Sequence, residues 1–305
     1  MNQQKTVVTV GKYKFQIIDN ILMSEDTGNI YNQSFKIGGD YADCVSVSIR
    51  YTKNQPVHAY IPHAMYDPEC SMDVPLERGG SVVMIKTLLA HVRKQLPTID
   101  KVEFEDKSNI ECATENEIIT KGSRFRKRGT NVIPIPLYYF SIAFNGQTWY
   151  EKHFHARQKD PVKHKAYREM VDLVLNSADF KSKMSFDEFL EITELAQYVD
   201  EIKKYYDASD TFGGFFRSIP VSERCRLVRD WIHQFMTYHF KDVFSNSDWI
   251  IDISVKPDAA KTPLQLQSAS KKGGGKRKTR KYYCPPGRII LRTPHYDMGV
   301  LASEL

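Results

Sequence analysis

The chain has 305 residues, 41% hydrophobic and 26% charged, the balance of a soluble globular protein with one large or two smaller cores rather than of a disordered or fibrous chain. Its formal charge of +6 is unevenly held: nine of 43 basic and two of 37 acidic residues lie from Lys271 onward, leaving 34 basic against 35 acidic residues before it, so the basicity belongs to a C-terminal tail. The longest apolar-rich run, 132–144, is too short to span a bilayer and is broken by Pro134 and Pro136. The opening residues lack the apolar core of a signal peptide, so no membrane and no secretion are expected. Five scattered cysteines with no Cys-x-x-Cys pair indicate neither a zinc site nor a disulfide framework, and a reducing compartment is the default.

Residues 1–70 read as strands. Residues 12–18 are rich in β-formers, Asp19-Asn20 and Thr27-Gly28-Asn29 signal turns, and Cys44 to Ile49 alternates in hydrophobicity. Lys53 to Pro56 is a turn between this strand and another over 57–66, which predicts an antiparallel hairpin with a bulge or an edge at Pro62. Glu77-Arg78-Gly79-Gly80-Ser81 then breaks the chain. Ser81 is the expected N-cap. Val82, Ile85, Leu89, Val92 and Leu96 share one helical face, with His91, Arg93, Lys94 and Gln95 mostly on the other, until Pro97 ends the helix. Residues 101–106 alternate with period two, setting Glu103 and Glu105 on one face of a strand and Val102 and Phe104 on the other. A glycine turn feeding a helix N-terminus offers backbone N–H groups to an anion; it is also an ordinary tight turn.

Residues 107–135 read as a polar insertion with a basic cluster, Arg124 to Arg128, either a solvated loop or a contact for phosphate or an acidic partner. Residues 137–155 are expected as an aromatic helix with a break or kink at Asn145-Gly146. From Pro161 the pattern is helical: 163–175, then a helix capped by Ser185 that runs through Leu190 and Leu195 toward Tyr206. A turn at Gly213-Gly214 follows, then a helix after Ser222 with Leu227, Trp231, Ile232, Phe235 and Tyr238 on one stripe. Residues 248–255 are strand-like and suited to rejoining a sheet. Residues 268–281 hold Lys271, Lys272, Lys276, Arg277, Lys278, Arg280 and Lys281 around three glycines, with no acid. Such a segment cannot bury apolar surface and is expected to be disordered; its charges suit nucleic acid, an acidic protein surface or a nuclear-import signal. Arg288 to Arg292 is a last short element, expected to dock on the body or on a partner.

The order of strands, glycine turn, amphipathic helix, strand over 102–106 and a helix ending Tyr-Glu-Lys-His-Phe (150–154) resembles the acetyl-CoA-dependent N-acetyltransferase (GNAT) superfamily across roughly 45–156. The resemblance implies an α+β fold: a GNAT-like mixed, largely antiparallel sheet with flanking helices over 1–158. A C-terminal helical subdomain with a closing strand (159–256) and a disordered, low-complexity basic tail (257–305) complete the expected organisation. In this family the turn and helix cradle the pyrophosphate of acetyl-CoA, which assigns that position to Arg78, Gly79, Gly80 and Ser81. The next strand splays from its neighbour to admit pantetheine, with Asn109 following it, and Tyr150 would stand near the thiol. Leu76 to Ser81, residues 142–154 and 210–231, and the Gly-Gly-Gly-Lys-Arg-Lys tail are also similar to uncharacterised proteins of giant nucleocytoplasmic large DNA viruses. That resemblance implies a virion or a viral factory in the host cytoplasm, or the nucleus, as the setting, and other virion proteins as partners.

Acyl transfer requires that an amine be deprotonated, an oxyanion stabilised and a thiolate protonated. Tyr150 is the expected acid, and Glu105 or Glu103 the base, directly or through water. The competing expectation is that both glutamates face solvent and Tyr150 fills the core. His153 and His155 do not share a helix face, and His58 and His63 lack partners at ligand spacing, so no metal is expected. Two function classes follow. One is a GNAT-like N-acyltransferase, active or degenerate. The other is a non-enzymatic virion-associated or minor capsid protein that uses the body as scaffold and the tail as anchor. A pocket open at the Gly79–Ser81 turn favours the first, and a turn plugged by an aromatic side chain favours the second.

Overall fold

A computed structural model of the chain describes residues 2–40, 43–64, 67–77, 79–112, 133–244, 248–254, 288–293, 296–297 and 300–301. The fold is α+β, with a large, mostly antiparallel sheet and flanking helices. β1 (Asn2–Val10), β2 (Tyr13–Met23), β3 (Ile30–Gly38), β4 (Val45–Thr52) and β5 (Gln55–Ala64) form an antiparallel meander. The expected hairpin is β4–β5: Lys53 and Asn54 take φ of 52° and 62°, the left-handed pair whose twist matches a two-residue connection. The register of β4 on β5 slips between Ser46 and Ser48, opposite Ile61 and Pro62, which is where the missing proline N–H calls for an irregularity.

A 3-10 turn at Pro68–Cys70 leads to α1 (Gly80–Gln95), which packs across β2, β3 and β4 and delivers β6 (Lys101–Glu105) parallel to β5. The helix buries Met84, Ile85, Leu88, Leu89 and Val92 in one core with Phe15, Ile17, Phe35, Ile37, Val47 and Ile49 from the sheet. The chain then leaves the main sheet. β7 (Ser108–Cys112) pairs instead with β8 (Ile133–Pro136). α2 (Leu137–Asn145), α3 (Trp149–Phe154) and the short β9 (Arg157–Gln158) follow. Next come α4 (Pro161–Val171), with a π-helical extension over Asp172–Asn176, then α5 (Ala178–Ser182), α6 (Phe186–Thr193), α7 (Val199–Asp207), α8 (Phe212–Ser218), α9 (Arg224–Val228) and α10 (Ile232–Phe244). β10 (Asp248–Asp252) returns to the sheet between β6 and β9, so the strand order is β1-β2-β3-β4-β5-β6-β10-β9. β11 (Arg288–Thr293) docks on the body by antiparallel pairing with β7, and carries β12 (Tyr296–Asp297) and β13 (Val300–Leu301).

The helical region is held by aromatic packing. Phe189, Phe212, Phe215, Phe216, Trp231 and Phe235 are all fully buried, with ring centroids 4.9–6.4 Å apart in the pairs they form. Such offset and edge contacts add roughly 0.5–1.5 kcal/mol per pair to the area they bury. This core is continuous with that of the sheet.

Several local expectations are corrected. Gly79, not Ser81, caps α1, because Gly79 takes the left-handed φ of 79° and the helix begins at Gly80. The helix after Ser185 does have its capping box with Glu188, but it stops where Glu194 (φ 53°) and Tyr198 (φ 56°) turn left-handed, and α7 starts anew. The break expected at Asn145-Gly146 is borne out: the aromatic stretch divides there into α2 and α3, with Gly146 at φ 71°. Gly213 and Gly214 are not a turn but lie inside α8, whose N-cap is Thr211. A Cβ on Gly213 would come within 2.8 Å of the Leu175 carbonyl oxygen, so the glycine serves close packing.

The cysteines are corrected most fully. Cys44 bonds to Cys70 and Cys112 to Cys225, with Cα separations of 5.9 and 5.3 Å. Separations of 26 and 113 residues along the chain conceal pairs that only the fold brings together. The expected basic loop, Arg124 to Arg128, and the whole of Lys271 to Lys281 lie outside the described residues.

Candidate functional site

The Glu77–Ser81 turn stands where β5 hands over to α1. Arg78 lies outside the described residues. Gly79 has open space in front of it, but Gly80 does not. A Cβ there would meet Leu76 side-chain carbons at 2.7 Å and the Tyr13 ring at 3.3 Å. The Gly80 N–H donates to the Glu77 carbonyl oxygen at 2.8 Å, and the Glu77 N–H donates to the Tyr13 hydroxyl at 3.4 Å. The Glu77 carboxylate is paired with Lys12. Tyr13 and Ser81 are both buried, at 7% and 2% exposure. The turn is thus clamped onto the β1–β2 hairpin, and an aromatic ring fills the side that Gly80 leaves free. An anion cradle needs outward-facing N–H groups. The buried Gly80 amide is already given to the Glu77 carbonyl oxygen.

β6 alternates as its sequence dictates. Val102 and Phe104 are buried, and Glu103 and Glu105 point to the other face. Glu103 accepts from Lys159 Nζ at 2.9 Å and stands 3.1 Å from His58 Nε2. Partial burial raises its pKa, but these two partners outweigh it and hold the carboxyl below its ordinary value. Glu105 pairs with Lys107 at 2.7 Å. Asn109 sits in β7, bridged to Pro136 and Ile290, with its side-chain amide donating to the Lys107 carbonyl oxygen at 3.1 Å.

Tyr150 lies on the opposite face from the glutamates. Its ring packs on Phe104 with centroids 4.4 Å apart, and on Trp149 and Phe154. α3 is fixed from both sides. Thr148 and Glu151 form a reciprocal capping box, and Glu151 Oε2 also accepts from the Tyr167 hydroxyl at 2.5 Å. Tyr150 is 5% exposed, and burial, with the charge of Asp106 second, raises its phenol well above the ordinary range.

The carboxylate whose charge acts on the Tyr150 phenol is Asp106, the last residue of the alternating stretch 101–106. Asp106 Oδ1 accepts from Ser108 N–H at 3.2 Å and from the Ser108 hydroxyl. Oδ2 is sealed from solvent with no hydrogen-bond partner among the described residues. Burial pushes its pKa up to about 6, against the pull of the Ser108 bonds. Tyr150 thus feels the charge of Asp106, while Glu103 and Glu105 pair with Lys159, His58 and Lys107 on the other face of β6. The only sequence signal for Asp106 is Asp-x-Ser at a strand end, the pattern of a local side-chain turn. Burial thus makes the Asp106 carboxyl hold its proton more tightly than an exposed one; the glycine turn and the glutamates belong to other surfaces. No protein-family model, no curated protein and no solved structure matches this chain.

Proposed function

We propose that this chain is a GNAT-like protein of a large DNA virus whose acyl-transfer site is degenerate. Its body is a non-enzymatic scaffold, with the helices of 159–256 as a subdomain. Its basic tail is an anchor to DNA or to an acidic protein surface in the virion or viral factory. The observation that carries this reading is the filled turn: Tyr13 and Leu76 occupy the space beside Gly80, and the Gly80 amide is already bonded. The viral setting rests on the similarity of residues 76–81, 142–154 and 210–231 and of the Gly-Gly-Gly-Lys-Arg-Lys tail. Among the described residues no helix is long and apolar enough to cross a membrane. The test is a thermal-shift titration of the full chain with acetyl-CoA. A ligand that binds only the native state must raise the melting temperature. We expect no shift up to millimolar ligand; a saturable rise overturns the scaffold reading.

One arrangement favours the second reading, an acyl-CoA-dependent N-acyltransferase. β5 and β6 run parallel, are joined through the glycine turn and α1, and are bridged at the single pair Tyr60↔Glu103. A parallel pair so briefly bridged is the kind of opening the family resemblance calls for, and Tyr150 packs close to it on Phe104.

A further inference from the structure

The two edges of the eight-stranded sheet differ in kind. β9 ends one side with two residues. β1 ends the other with nine, paired one to one with β2 from Asn2↔Ile21 to Val10↔Tyr13 without a bulge. Among the described residues β2 is the only strand paired with β1. A free edge presents a row of backbone donors and acceptors, and natural sheets guard such edges with charges, prolines, bulges or short strands. β1 has none of these beyond a single charge, Lys5. Its second half reads Thr6-Val7-Val8-Thr9-Val10, all β-favouring, with Val7 51% and Val10 39% exposed.

We propose that β1 is the interface of a homodimer, in which it pairs antiparallel with β1 of a second copy about a two-fold axis. The self-pairing is compatible residue by residue. With Val8 opposite its own counterpart, Thr6 meets Val10 and Lys5 meets Gly11. With Val7 opposite its own counterpart, Lys5 meets Thr9. Lys5 never faces itself, so neither register sets like charges opposite one another. Growth beyond two copies is not available by this route, because the far edge, β9, is too short to accept a nine-residue strand. Val8 and Val10 also gain cover. They lie on the face that bears Phe15 and Tyr13, beyond β2, β3 and β4 where α1 packs, and the second copy supplies the same apolar positions beside them. An isologous contact of this type uses one patch twice, which suits a closed dimer.

The test is sedimentation equilibrium of the full chain, with free thiols alkylated so that Cys284 cannot cross-link, across low to high micromolar concentrations. We expect a monomer–dimer equilibrium. Val7→Lys puts two positive charges directly opposite or diagonal to each other in either register, and should raise the dimer Kd about tenfold or more. Val7→Thr, which keeps the β preference without charge, should dimerise as the parent does. Both variants should melt close to the parent, because Val7 is half-exposed within one chain. A parent that stays monomeric throughout, a Val7→Lys variant that dimerises undiminished, or assembly beyond the dimer each overturns the proposal.

Discussion

Asp106 lies within electrostatic reach of Tyr150 at the end of β6, and its charge adds to burial in keeping the phenol protonated. The carboxyl itself is raised from 3.8 to about 6. The native state therefore binds its proton more tightly than the unfolded chain does. Below about pH 4 both states are protonated and nothing is lost. As pH rises from about 4 to about 6, the unfolded chain ionises first and stability falls; above about 6 the penalty is complete. A shift of this size corresponds to at most about 3 kcal/mol. Asp106→Asn keeps the shape and removes the charge. It should be more stable than the parent at pH 8, by roughly 1–2 kcal/mol, and nearly equal at pH 4. Urea unfolding at the two values checks this, and equal differences at both would deny Asp106 its raised pKa.

Gly79 and Gly80 should answer substitution differently. Gly80→Val drives methyl groups into Leu76 and Tyr13, an overpacking that costs about 1–3 kcal/mol. Gly79→Ala meets open space but must hold φ of 79°, a strain of about 1–2 kcal/mol. Pairing each with Leu76→Ala separates the two causes, because the Leu76 carbons stand nearest to Gly80, at 2.7 Å. The smaller side chain should relieve Gly80→Val and leave Gly79→Ala unchanged. Calorimetric melting temperatures report it, and equal relief at both positions would contradict the close approach at Gly80.

Reduction should destabilise the protein in two steps of different size. By loop-closure entropy, cross-links spanning 26 and 113 residues are worth about 3.5 and nearly 5 kcal/mol. Cys112→Ser/Cys225→Ser should therefore lower the melting temperature more than Cys44→Ser/Cys70→Ser. The parent should lose its advantage over both in dithiothreitol. Thiol counting by alkylation and mass spectrometry on the unreduced chain should find Cys284 as the single free cysteine; five modified thiols would refute both pairs.

The tail should carry nucleic-acid affinity. Replacing Lys271, Lys272, Lys276, Arg277, Lys278, Arg280 and Lys281 with serine, while keeping the full length so that β11 still pairs with β7, should abolish duplex-DNA binding at low salt. It should also remove the steep dependence of log Kd on log salt that phosphate neutralisation produces. Gel-shift titrations at several salt concentrations measure both. Unchanged affinity and slope would move the contact to Arg124 to Arg128.

Elements with strong local signals were legible. The alternation of Val102 and Phe104 against Glu103 and Glu105 gave β6 its faces, Lys53-Asn54 marked the hairpin, and Ser185 with Glu188 marked a helix start. Residues 248–255 looked like a strand and became β10. What escaped was set by distance. Cys112 and Cys225 carry no local mark of partnership. Glu194 and Tyr198 adopt left-handed backbone, which their own propensities do not announce. Gly213 reads as a turn residue until the Leu175 carbonyl is seen against it. Asp106 gains its raised pKa from burial, and the phenols its charge acts on, Tyr138 and Tyr150, lie more than 30 positions away.

The placement of β10 bears on how the protein is made. β6 has its partner on one side as soon as β5 and α1 have formed, but its other neighbour, β10, is about 140 residues further along. At roughly 5–20 residues per second, a ribosome needs on the order of ten to thirty seconds to deliver it. For that interval the nascent chain carries an unfinished sheet, with Phe104 missing its Trp249 neighbour and the hydrogen-bonding edge of β6 open to any other strand nearby. Successful synthesis therefore depends on α4 to α10 collapsing promptly enough to bring β10 home before another strand takes its place.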